Sequence, residues 1–189
     1  GGIKLDFESI INLVKNMLPS SIVTLEIFFL TIIFSSILGM FVAFGRMSKF
    51  AIIRIPIQVF LLIMRGTPLI LQLMFFYFAP YYIFGTTLPR FWAAILAFTL
   101  NYSAYIAEIY RSGIESIPVG QYEAATVLGF GKSETFFKII LPQVVKRIIP
   151  PMSNELMTLV KDTALAQVIG VAEIFKLAGA TMSSQFSTV

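Results

Sequence analysis

The chain contains no cysteine and no histidine. The first absence excludes disulfides and thiol catalysis; the second excludes Ser-His-Asp triads and His-ligated metal sites. Charge is scarce, at 13% of residues against 57% hydrophobic, which is far from an ordinary soluble composition. No Gly-rich phosphate loop with a following Lys is present, so the chain is not expected to bind ATP or any other cofactor itself. The first residues, GGIKLDF, lack a Met and a basic-then-apolar signal pattern, so no cleaved targeting segment is expected. There is no tandem repeat, low-complexity tract or second domain, and residues 1–189 read as a single membrane domain. The small excess of four positive charges suits membrane topology rather than nucleic-acid binding. A Ser/Lys or paired-carboxylate enzyme remains formally open; Ser153 and Lys161, eight residues apart, fall roughly on one face, but such spacing is common by chance.

What the chain has is long apolar runs and 19 Phe. A run of about 20 apolar residues crosses a hydrocarbon core of about 30 Å as a helix. Four spans are expected, at 20–44, 56–78, 91–110 and 147–172, after a short interfacial amphipathic helix at 5–18. Ser35, Ser36, Gly39 and Gly45 would allow close packing of the first span, where Glu26 is placed to snorkel or pair. In the second span, Arg65-Gly66-Thr67-Pro68 sits mid-way, and Pro68 should kink or unwind the helix there. Freed backbone groups at that depth are tolerated only against protein or a watery cavity. A loop at 79–90 carries a Tyr/Phe belt. In the third span Asn101, Tyr105 and Glu108 share one face, and in the fourth Glu155, Thr158 and Asp162 do the same. Pro150 and Pro151 shape the entry to that span.

Basic residues orient the spans. The 45–55 loop holds Arg46, Lys49 and Arg54; the 111–147 segment holds Arg111, Lys132, Lys138, Lys146 and Arg147; the 79–90 loop holds Arg90. Positive loops stay cytoplasmic, so the N-terminus is expected outside and the 111–146 loop inside. Within that loop, EAATVLGFGKSETFFKIILP predicts a helix over about 121–128, a glycine turn at Gly129 and Gly131, and a second helix that Ser133 caps and Pro142 interrupts. Two short helices outside the membrane make a rigid knob suited to docking another protein.

Glu123, Ala124, Ala125, Gly129, Ile139, Leu141 and Pro142 match the pattern Glu-Ala-Ala, three residues, Gly, nine residues, Ile-x-Leu-Pro. The pattern resembles the EAA coupling loop of permease subunits of ATP-binding-cassette importers. RGTPLILQ, AYIAEIYRSGIESIPVGQYEAATVLG and NELMTLVKDTALAQVIG are similar to stretches of polar amino-acid permeases in that family. The resemblance implies an all-α membrane protein, the helical-bundle transmembrane domain of a type I importer. Four spans are visible, and a fifth is usual in the family. It also implies a multi-pass place in the bacterial inner membrane. The partners it implies are an ATPase subunit that binds ATP and Mg, a second permease (identical or paralogous, with an identical one suited by the compact size), an extracytoplasmic solute-binding protein and membrane lipid. ATPase activity would reside in the partner, and the knob would pass on its motion, with Glu123 placed to meet a basic residue.

The charges inside the spans bear on the cargo. Arg65, Glu108, Glu155, Lys161 and Asp162 are two positive and three negative residues. At about 1.5 Å per residue, Arg65 and Glu155 are nearly level and are expected to pair. A surplus carboxylate suits an ammonium or guanidinium. The candidate substrate-binding residues are therefore Glu155, Glu108 and Asp162 for positive groups, Asn101, Thr67 and Ser103 for the carboxylate, and Arg65 beside the break. The expected cargo is a polar, basic L-amino acid of the arginine, lysine or histidine type. The alternatives are a glutamine- or glutamate-type permease, and an ion-coupled secondary transporter, which would use the same mid-membrane charges without needing the coupling loop.

Overall fold

The computed structural model describes residues 7–163. Those residues form seven α-helices and one π-helical turn. The end of the expected fourth span, the tail and any fifth span lie outside the described residues.

Helix α1 (Phe7–Arg46) is continuous through Pro19. The interfacial helix expected at 5–18 and the first span are therefore one element. A lone proline removes one backbone hydrogen bond, which a long helix can absorb when nothing else breaks the pattern. Ile22–Arg46 is, among the described residues, the one helical segment long and apolar enough to cross a bilayer unaided. Its two faces differ. Phe29, Ile33, Ile37 and Phe41, four apart, are exposed; Ile27, Thr31, Ser35 and Gly39, also four apart, are buried. The buried stripe is small-sided and faces α4 (Arg90–Glu115). A Cβ on Gly39 would stand 3.2 Å from the Ser103 carbonyl oxygen, so the glycine permits this approach.

Helices α2 (Ala51–Gly66) and α3 (Leu69–Phe84) are the halves of the expected second span, bent by 109° at Thr67–Pro68. The proline break was legible; a turn so sharp was not. It makes the pair something other than one straight crossing. α3 also runs on through the expected 79–90 loop until Gly85, at φ +73°, ends it. The belt residues Tyr81, Tyr82 and Phe84 are exposed on its last turn.

Among the described residues the four expected spans thus reduce to one independently apolar helix and one broken pair, the fourth span running beyond them. The reason lies in α4 and α7 (Leu141–Asp162). α4 packs against α1, α2, α3 and α7, and Ala93, Ala94, Ala97, Ala104 and Ala107 are all buried. A helix surrounded by protein needs no lipid-compatible surface, so it keeps Asn101, Glu108 and Arg111.

The 111–146 segment is mostly helical. It holds the end of α4, α5 (Val119–Val127), α6 (Lys132–Glu134), a π-helical turn (Thr135–Ile140) and the start of α7. Two local expectations change here. Gly131, not Ser133, is the N-cap of α6, and its N–H donates to Glu134 Oε2 at 3.3 Å. Pro142 does not interrupt the second helix. It falls in the first turn of α7, and the wider π-helical turn before it absorbs the missing donor.

Gly113 sets the α4–α7 distance. A Cβ there would run into Ile148 Cγ2 and stand 3.2 Å from Val144 Cγ1. Gly113→Ala should therefore overpack this seam, at about 1–3 kcal/mol, and Ile148→Ala should restore most of the loss. Melting temperatures of the purified protein in detergent check this. A single Gly113→Ala variant as stable as the parent would refute it.

Candidate coupling surface and substrate cavity

The knob is built from α5 and the segment after it. Leu128 N–H donates to Ala124 O, Gly129 N–H to Thr126 O, and Phe130 N–H to Ala125 O. With Gly129 at φ +82°, this is a Schellman closure, and only glycine adopts that backbone without steric cost. Ala125 is 1% exposed, while Glu123 and Ala124 face outward beside Val119, Val127 and Leu128, which are at least 69% exposed. α5 packs on the π-helical turn, whose Ile140 is fully buried with Ile117 and Val144. Ile139 and Leu141 are half-buried and Pro142 is exposed. One further tie fixes α5 to α7, and another fixes the end of α4 to it. Gln143 Nε2 donates to Gln121 Oε1 at 3.0 Å, and Arg147 Nη1 donates to the Ser116 carbonyl at 2.6 Å. The Lys138 ammonium, 2.9 Å away, and the Gly131 N–H hold the Glu134 carboxyl below its ordinary range.

The second constellation lies around the α2–α3 break. There the freed backbone groups are taken up one by one. Ile63 O accepts from the Thr67 N–H and hydroxyl; Met64 O accepts from Gln72 Nε2 at 3.0 Å and Asn101 Nδ2 at 3.1 Å. Gln72 Nε2 also reaches Thr67 Oγ1 at 2.7 Å, and Gln72 Oε1 accepts from Asn101 at 3.0 Å. Gln72, absent from the sequence-derived site, is the hub. A glutamine four residues past a mid-span Pro was the available signal.

One helical turn along α4, Tyr105 lies beneath Arg65, whose guanidinium carbon is 5.6 Å from the ring centroid. Glu108 Oε2 accepts two hydrogen bonds from Arg111, at 2.7 and 3.1 Å, and stands 3.9 Å from Arg65 Nη1. The expected Arg65–Glu155 pair is therefore replaced by Arg65–Glu108. The depth estimate assumed straight helices, and the bend swings the end of α2 towards α4. Two adjoining cavities, of about 650 and 740 Å3, share Arg65, Tyr105 and Glu108 in their walls. The larger is also lined by Arg111, Arg147 and Glu155.

The other candidates divide. Asp162 Oδ2 accepts from the Tyr102 hydroxyl at 2.6 Å. Ser103 is buried, bonded to Leu100 O, and lies at the α1–α4 seam, away from either cavity. Thr158 is exposed and bonded to Asn154 O, and Glu26 is exposed on α1. Among the described residues no group of acidic side chains could hold a metal.

Residues 35–188 match the family model described as binding-protein-dependent transport system inner membrane component. The L-cystine transport system permease protein of Bacillus subtilis (strain 168) is 44% identical over 82% of this chain and 66% of its own. The chain thus spans just under two thirds of that relative. The arginine transport system permease protein of the same organism is 37% identical over 92% of this chain and 80% of its own. A solved structure, the crystal structure of an amino acid ABC transporter with histidines, superposes with a TM-score of 0.79 at 33% identity, covering 97% of this chain and 86% of that one. The chain belongs to the family of binding-protein-dependent transport system inner membrane components.

Proposed function

We propose that this family member is the permease subunit of an ATP-driven importer of polar amino acids and that its cargo is basic. It would work with a separate ATPase, a second permease copy and an extracytoplasmic solute-binding protein, in the inner membrane, with the N-terminus outside and the knob in the cytoplasm. The observation that carries the importer reading is the knob. A helix tied to α7 through Gln121 presents Glu123 and a rim of exposed Val and Leu, a surface with no reason to stay apolar unless a partner covers it. ATP binding by the partner would draw two such knobs together, and the ties through Ser116 and Gln143 would pass that motion to α4 and α7.

The basic cargo is supported by charge accounting. Arg111 satisfies Glu108, which leaves Glu155 and Asp162 with no basic side chain within 4 Å among the described residues. Glu155 lines the larger cavity, and a carboxylate in that position without a basic partner favours a cationic ligand. The similarity to an arginine permease and to an amino acid ABC transporter solved with histidines points the same way, and the cystine and glutamine permease relatives keep neutral cargo as the second reading.

The test is uptake into proteoliposomes holding the permease, its ATPase and lumenal ATP, with the binding protein outside. Labelled arginine should enter with ATP and not with a proton or sodium gradient alone. Gradient-driven entry without ATP would establish the secondary-transporter reading instead. ATP-driven uptake of glutamine but not arginine would keep the importer and refute the basic cargo.

A further inference from the structure

We propose that Arg65 is the receptor for the α-carboxylate of the cargo, and that Arg111 leaves it available by holding Glu108. This rests on the amino-acid-importer reading and goes further, because it assigns one end of the ligand to one side chain. The neutral donors around the break are the obvious alternatives, and the geometry removes them. Asn101 spends its amide on Met64 O and Gln72 Oε1; Gln72 spends its own on Met64 and Thr67; the Thr67 hydroxyl donates to Ile63 O; Ser103 donates to Leu100 O. The other cations of the larger cavity are also engaged. Arg111 binds Glu108 and Glu115, and Arg147 binds Ser116.

Arg65 differs from all of these. At 3.9 Å its approach to Glu108 is beyond hydrogen-bond length, and among the described residues it donates no hydrogen bond at all. Its side chain is 46% exposed and faces both cavities, and the Tyr105 ring beneath it fixes the plane of approach. A guanidinium presents a fork that matches a carboxylate bidentately. Glu155 lines the same larger cavity, so an amino acid can set its carboxylate on Arg65 and its positive group towards Glu155. Arg46 lines only the smaller cavity, without Glu155, and so serves as the control.

The experiment is equilibrium binding to the detergent-purified permease–ATPase complex without the solute-binding protein. The probes are L-arginine and L-glutamine, each beside its carboxamide, which keeps the side chain and loses the carboxylate. The parent should prefer the acid to its amide by about tenfold or more, the scale of a charged bidentate contact. In Arg65→Gln the acid should weaken to the level of the amide, with amide binding within twofold of the parent. Arg65→Lys should keep part of the preference, and Arg46→Gln all of it. Equal weakening of acid and amide in Arg65→Gln, or a preference that survives it, overturns the assignment. So does a parent that binds neither acid. That last result leaves the importer reading to be decided separately by ATP-driven uptake.

Discussion

Ala125→Asp in the knob should reduce ATP-driven uptake at least tenfold while the subunit still reaches the membrane. Ala125 is 1% exposed, and its carbonyl accepts the bond that closes α5 at Phe130. A carboxylate there has no basic partner in the knob's core, which is made of Ile117, Ile140 and Val144 with flanking Phe136 and Tyr122. Burying an unpaired charge costs several kcal/mol, more than the small contact between α5 and the π-helical turn can return. α5 should therefore lift away. The helices within the bundle do not depend on that contact, because α4 packs on α1, α2 and α3 independently of it. Glu123→Ala offers the contrast. Glu123 is exposed and makes no ion pair within the described chain, so its loss should leave the knob folded and act only through the partner. The measurement is uptake together with ATP hydrolysis. Hydrolysis that continues without uptake, or an ATPase that no longer co-purifies, supports the coupling role. Uptake within twofold of the parent refutes it.

The knob was legible because its signals are local. Gly129 marks a helix stop, and the Glu-Ala-Ala to Ile-x-Leu-Pro spacing lies within one stretch. What failed there was equally local: a glycine N-cap needs no side chain and leaves little trace, and a π-helical turn has no pattern of its own. The cavity was legible only in its parts. Arg65, Glu108 and Glu155 of its lining stood out as polar residues in apolar runs, as did Asn101 at the break beside it. Their pairing depended on the 109° bend at Thr67–Pro68, and a proline announces a break without its angle. The bend moved Arg65 from its expected partner Glu155 to Glu108, and it brought Gln72, three residues into α3 and apparently ordinary, onto the open end of α2. Counting spans by apolar length failed for the same reason. α4 is enclosed by its neighbours, and enclosure is not written in its own residues.

The bend itself should be held by the two amides that fill it, which gives a result larger than any surface change. Asn101→Leu and Gln72→Leu should each lower the stability of the complex by about 1–3 kcal/mol and cut uptake severely, through different orphans. Without Asn101, Gln72 Oε1 loses its donor and Met64 O keeps only Gln72 Nε2. Without Gln72, Thr67 O and Oγ1 lose their donor and Asn101 keeps only Met64 O. Asn101→Asp is instructive because it keeps the shape. It presents acceptors where Met64 O and Gln72 Oε1 need a donor, so it should be no better than leucine unless Gln72 turns over. Turning over would strip Met64 and Thr67 of their donor. The double variant, Asn101→Leu with Gln72→Leu, leaves Met64 O and Thr67 O unpaired but no dangling side-chain amide. Its loss should therefore fall short of the sum of the singles, by about 0.5–3 kcal/mol as expected for neighbours in one network. Melting temperatures and uptake for the four proteins form the cycle. Strictly additive losses would mean that the two amides stabilise the bundle separately and that the sharp turn of α2 into α3 is held by packing alone.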